Sequence, residues 1–157
     1  MKDVGHVGLV TRLAATPDRM ARAVAGWSEA ELRTPPAGGG WTAPEILAHV
    51  RASDDILTPR IYMVLVRDCP PLPAYDDRTW AQVAGYASAG FRSSLPPFAL
   101  RRAEVVAVLR RIQPGDWKRS GVHEEHGPTS LLALVQKLVE HEEEHCAQLE
   151  AIRPRGA

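Results

Sequence analysis

Apolar residues recur at helical spacing in four segments of the chain, separated by stretches rich in proline, glycine and polar residues. The first segment covers about residues 4 to 26, with Val7, Val10, Leu13, Met20 and Val24 among its apolar positions. Pro17 falls inside it and predicts a kink or a split. "TPPAGGG" marks a loop. The second segment opens with "TAPE", where Thr42 is placed to cap, Pro44 sits in the first turn and Glu45 completes a capping box. It is expected to run to about Val66, with Pro59 as a candidate kink. "DCPPLPAYDDRTW" is predicted irregular, and "AQVAGYASAGFRSSL" a short helix with a linker. The third long helix fits "PFALRRAEVVAVLRRI", stopped by "QPGDW". A "GVHEEHGPT" loop leads to the fourth, from about Thr129 to Ile152, with Pro154 beyond. No stretch shows the alternation of a strand. Four long helices predict an all-α fold, an antiparallel four-helix bundle.

Angular position sorts the fourth helix. At about 100° per residue, with His141 at zero, Leu134, Leu138, Leu149 and Ile152 fall between about 20° and 80°. Val135, Val139 and Cys146 widen that stripe. His145 lies inside it, near 40°, and His141 lies on its edge. Gln136, Glu140, Glu143 and Glu144 face away. Glu142 falls near 100°, within the apolar arc, so its carboxylate must be paired or have a job. On the second helix, His49 flanks a stripe of Ile46, Val50, Leu57, Ile61 and Val64, with Ser53 one turn further on the same flank. Two helices thus present histidines toward shared space. Three imidazoles with open positions left for water or substrate describe a catalytic type of metal site.

Composition narrows the function classes. The 157 residues are enough for one domain with a substantial core, and a single domain over 1–157 is expected. Nineteen basic residues balance nineteen acidic ones, so nothing asks for nucleic acid or an anionic membrane as partner. Cys69 and Cys146 are too few for a disulfide framework or a C-x-x-C site. No apolar run reaches the roughly 18 residues of a membrane span, and the opening segment lacks the apolar block of a secretory signal. A cytoplasmic protein is expected.

His141-Glu142-Glu143-Glu144-His145 matches H-E-x-x-H, the zinc-protease pattern. The extended pattern fails, because Gln148 stands where glycine is required and Ala151 where histidine is required. A third ligand is therefore sought upstream, and His49 is the best-placed candidate.

"GGWTAPEILAHVRASDD", "PPLPAYDDRTWA" and "HEEHGPTSLLALVQKLVEHEEEHCAQL" together resemble the DinB/YfiT-like family, in its metal-dependent hydrolase and thiol-S-transferase branch. The specific parts are the W-[ST]-x-x-E-[IL]-x-x-H start of the second helix and the H-[DE]-x-x-H-x-x-Q of the fourth. The resemblance implies a bundle in up-down-down-up order, which needs a long second-to-third connection; residues 67–95 supply one. It implies His49, His141 and His145 as ligands of a divalent metal ion, commonly nickel or zinc. It also implies a small-molecule substrate, in some relatives with a low-molecular-weight thiol, and a homodimer. Glu142 stands where the family often has aspartate.

Such a site permits definite chemistry. An open metal lowers the pKa of water or thiol toward neutrality. Glu142 is the catalytic candidate, either orienting a ligand histidine, which is preferred, or acting as general base. The alternative function is a non-catalytic binding or stress-related bundle whose metal is structural or absent. Other residues carry plainer expectations: Cys146 a small core residue, Trp41 a staple at the helix start, His6 without special role. His123 is a weak candidate for the site entrance. Tyr62, Tyr75 and Trp80 are expected to pack rather than line a pocket, and the Arg101-Arg102 and Arg110-Arg111 pairs to form a solvated face.

Overall fold

The computed structural model describes residues 4–152. Four long helices dominate: α1 (Val4–Ala23), α3 (Ala43–Val66), α6 (Phe91–Arg111) and α7 (Leu131–Ala151). Three short ones join them, α2 (Glu29–Leu32), α4 (Asp77–Ala84) and α5 (Tyr86–Ala89). The start of α3 follows the capping logic of its sequence: the Glu45 carboxylate accepts from the Thr42 N–H at 2.8 Å and from its hydroxyl at 2.7 Å. Ser130 caps α7, its hydroxyl accepting from the Ala133 N–H at 3.1 Å.

Ion pairs fix the helix directions. Arg12 reaches Glu143, and Arg19 reaches Glu150 at 2.6 Å, so α1 and α7 run parallel. Arg51 bonds Ser94, and Arg101 bonds Asp55, so α3 and α6 also run parallel. Ser53 faces His141, whereas His49, four residues earlier, stacks edge-on against His145, so α3 opposes α7. The order is up-down-down-up. Between α3 and α6 the chain must return along the whole bundle, and residues 67–90 make that crossing through α4 and α5.

Three findings differ from the sequence expectation. The helix α1 runs on through Pro17 without a break, because Leu13, Thr16 and Met20 around it are all buried. Helix α6 begins at Phe91 and carries Pro96 and Pro97 inside it; the buried Phe91, Ser94 and Phe98 hold that first part in the core. The "GVHEEHGPT" segment is a hairpin rather than a loop, formed by β2 (Ser120–His123) and β3 (Gly127–Ser130). A third strand, β1 (Pro71–Leu72), pairs in parallel with β2 and ties the crossing to the hairpin. Strands this short leave no alternation to read. Gly121 makes the approach possible, since a Cβ there would lie 2.7 Å from the Pro70 carbonyl oxygen.

The core has two apolar parts. One contains Leu13, Leu57, Ile61, Val105, Leu109 and Leu138; the other contains Met20, Val50, Phe91, Phe98, Cys146 and Leu149. The long helices also bury polar side chains, among them Thr16 of α1, Asp54 of α3, Arg102 of α6 and Glu142 of α7. No described helix is long and apolar enough to cross a membrane.

Candidate metal centre

Beside these polar side chains, α3 and α7 bring His49, His141 and His145 together. Each offers a ring nitrogen, and the three nitrogens lie within 4.8 Å of one another. The Nε2 atoms of His49 and His141 face each other at 2.9 Å. Ring centroids are 4.5 to 4.8 Å apart across the three pairs. Helical geometry explains the pair on α7, since residues four apart share a face. The antiparallel packing of α3 brings His49 opposite both.

The donor set suits a divalent cation. Two ring nitrogens at about 2.0–2.1 Å from one ion stand about 3 Å apart, close to the approach found here. Burial, with the charge of its neighbours His145 and His49, pushes the pKa of His141 down to about 4. Burial likewise lowers that of His49. Both imidazoles are thus held neutral, the form that ligates. The third is oriented by its far nitrogen: His145 Nδ1 lies 2.8 Å from Gln148 Oε1, so Nδ1–H donates and Nε2 is left for a ligand.

Trp41 stands against the cluster, its ring centroid 4.9 Å from His49 and 5.9 Å from His145. It covers the histidines as well as the helix start. Asp77, the first residue of α4, closes the site from the crossing segment. Its Oδ2 accepts from the Ser53 hydroxyl at 3.1 Å and lies 3.6 Å from His49 Nδ1. Ser53 Oγ is also 3.4 Å from His141 Nε2. A cavity of about 110 Å³ adjoins the cluster, lined by Ser53, Arg60, Tyr75, Asp77, Lys137 and His141 among others. Asp77 was not singled out by sequence because it comes from the proline-rich crossing, where no periodicity aims a side chain.

Glu142 is sealed, 0% exposed, and its Oε1 accepts from Arg102 Nη2. Arg102 also donates to Asp54 at 2.8 Å, and Asp54 accepts from the Thr58 hydroxyl at 2.8 Å. Burial pushes the Glu142 pKa up to about 7, opposed by Arg102 and reinforced by Asp54. Of the far nitrogens that Glu142 was expected to orient, that of His145 lies on Gln148 and that of His49 is turned toward Asp77, while that of His141 has no hydrogen-bond partner among the described residues. Arg102 corrects the expected solvated face. It is 1% exposed, while Arg110 and Arg111 are exposed.

The remaining candidates divide. Tyr75 lines the cavity, against the expectation of packing. Trp80 stacks edge-on to Tyr75 and donates to Asp55 at 3.1 Å. His6 stacks flat on Trp117, 4.4 Å apart. Cys146 is buried, and desolvation pushes its thiol up to about 12, which makes it an inert core residue. His123 is buried in the hairpin, its Nδ1 accepting from the Glu125 N–H at 3.1 Å, and does not line the cavity. With Glu125 and His126 it forms a second group of donor atoms, but its Nδ1 is already engaged.

The fold and the site together define a four-helix bundle of parallel pairs with a three-histidine cluster, of a kind able to hold a metal ion, on its second and fourth long helices. Comparison with known proteins agrees. Residues 12–149 match the model of the DinB superfamily, and the chain belongs to that family. It is 26% identical to a "putative metal-dependent hydrolase" of Bacillus mycoides (strain KBAB4), over 88% of this chain and 80% of that protein. It is 24% identical to "putative metal-dependent hydrolase YfiT" of Bacillus subtilis (strain 168), over 91% of this chain and 81% of that one. The solved structure of YfiT, described as a four-helix bundle of unusual topology, superposes with a TM-score of 0.84 at 22% identity, covering 95% of this chain and 86% of that chain.

Proposed function

We propose that the protein is a metal-dependent enzyme acting on a small molecule, as a hydrolase or a thiol-S-transferase, with His49, His141 and His145 holding a divalent nickel or zinc ion. The 2.9 Å approach of two imidazole nitrogens from different helices, beside a cavity, carries the reading. A divalent cation so held supplies Lewis acidity, polarising a carbonyl and lowering the pKa of water or of a thiol. The family resemblance adds a low-molecular-weight thiol as co-substrate and a homodimer as assembly.

The chain's own residues take distinct parts. Gln148 orients His145, and Asp77, 3.6 Å from His49 Nδ1, places a carboxylate beside His49. Trp41 shields the cluster from water on one side. Asp77 is partly exposed and lines the cavity, so it is placed to accept a proton from a nucleophile. Glu142 is sealed and shared with Arg102, which favours a supporting role over that of general base. It anchors α7 directly behind His141.

Elemental analysis of protein purified without a histidine tag tests the reading. Wild type should carry one divalent cation per chain, and His49→Ala and His145→Ala close to none. Equal trace metal in all three would remove the enzyme reading in favour of a non-catalytic bundle.

A further inference from the structure

Arg60 and Arg102 are the two buried arginines among the described residues. Arg102 has two carboxylates, Asp54 and Glu142. Arg60 is 7% exposed and has no carboxylate partner. Its Nη2 donates to the Pro73 carbonyl, and its Nε is buried without a hydrogen-bond partner among the described residues. Tyr75 and Glu125 are close enough to be felt electrostatically, but neither bonds it. A buried cation left uncompensated is costly, by several kcal/mol in general. Unlike Arg102, whose charge two carboxylates neutralise, Arg60 has its charge left for a ligand to complete.

Arg60 lines the cavity that adjoins His141. Lys137, one helical turn before His141, lines it from α7 and is exposed. Asp77 is the carboxylate of the lining, and it is committed to Ser53 at 3.1 Å and turned toward His49. The cavity is thus polarised, with its negative group beside the histidines and its positive groups further along. Arg60 lies seven residues beyond Ser53, about 10 Å along the helix axis.

We propose that the substrate is an elongated small molecule with a terminal oxyanion, a carboxylate or a phosphate, which Arg60 and Lys137 hold while the reacting end faces the histidines. A planar guanidinium matches either anion through paired N–H groups. The inference rests on the reading of the triad as a metal centre for the position of the reacting end, but the anion site stands on Arg60 and Lys137 with or without the metal.

Calorimetric titration of the zinc-loaded full chain tests it with three probes sharing a thiol head: 4-mercaptobutanoate, its neutral amide, and 3-mercaptopropyl phosphate. At least one anion should bind more than about tenfold tighter than the amide, and the tighter of the two identifies the group. Arg60→Met should abolish that preference without weakening the amide, with far-UV circular dichroism confirming the fold. Lys137→Met, at an exposed position, should reduce it about threefold and serves if Arg60→Met does not fold. Equal binding of anions and amide, or an anion preference that survives both substitutions, overturns the proposal. The same titrations on metal-free protein separate the two readings. An anion preference that persists in wild-type protein unable to take up zinc leaves the Arg60 site standing and removes the metal centre. Binding that needs zinc but ignores charge does the reverse.

Discussion

The histidine cluster and the Arg102 ion cluster are built on the same two helices from adjacent residues. His141 precedes Glu142 on α7, and Ser53 precedes Asp54 on α3. One residue step turns a side chain by about 100°. On one side of that step lie groups whose charges neutralise each other: Asp54 and Glu142 share Arg102, and Asp54 takes the Thr58 hydroxyl as well, while Arg102 Nε and Nη1 and Glu142 Oε2 keep no hydrogen-bond partner among the described residues. On the other side lie the histidines. His49 Nδ1 and His141 Nδ1 are buried without hydrogen-bond partners among the described residues, and two Nε2 atoms face each other. The first arrangement pairs opposite charges within the protein and joins α3, α6 and α7. The second gathers three ring nitrogens next to a cavity, the donor set that suits a cation. Buried polarity does not by itself indicate function, since both arrangements keep unpartnered atoms; like donors converging beside open space do.

That contrast can be broken by experiment. The largest effect is expected from Arg102→Met, which leaves two buried carboxylates without their cation. It should cost about 3–5 kcal/mol in urea unfolding, while the folded fraction still takes one cation per chain. A loss below about 1 kcal/mol would mean that the ion cluster does not hold the helices. Chelation should act differently. It should leave the helical signal intact and lower stability by about 2.7 kcal/mol relative to protein in metal at a hundredfold excess over Kd. Collapse of the helical signal on chelation would make the metal structural. Next come Asp77→Ala and Gln148→Ala, each expected to weaken metal binding by about tenfold with little change in metal-free stability. The smallest effect is expected at the rim. The Arg19 guanidinium holds the Glu150 carboxyl below the usual carboxylate range, chiefly by hydrogen bonding. A carboxyl with a depressed folded-state pKa contributes stability above its unfolded pKa and loses it as pH falls through the carboxylate range. Both side chains are substantially exposed, so Glu150→Gln should cost under about 1 kcal/mol near neutral pH, and less still in high salt or acid.

The sequence is informative where periodicity constrains a side chain. The apolar stripes of α3 and α7 aimed His49, His141 and His145 inward, and Glu142 fell within an apolar arc that demanded a partner. The partner was not legible. Arg102 stands next to Arg101 on a helix whose charges read as solvated, and only packing against α3 and α7 tells which of the pair is inside. Asp77, Tyr75 and Arg60 escaped for related reasons. Asp77 and Tyr75 come from an aperiodic crossing whose path is set by β1 pairing with β2. Arg60 lies on α3, but the cavity it faces exists only once that crossing and α7 are in place. Pro17 misled in the other direction, since local helix-breaking yields where buried neighbours hold the turn, as it does at Pro96 and Pro97 inside α6.

Anomalous diffraction at the metal edge, from crystals grown with zinc or nickel, tests the central claim most directly. The account predicts one peak about 2.0–2.1 Å from the Nε2 atoms of His49, His141 and His145. No peak at that position, or a peak held instead at the hairpin by His123 and His126, would contradict it.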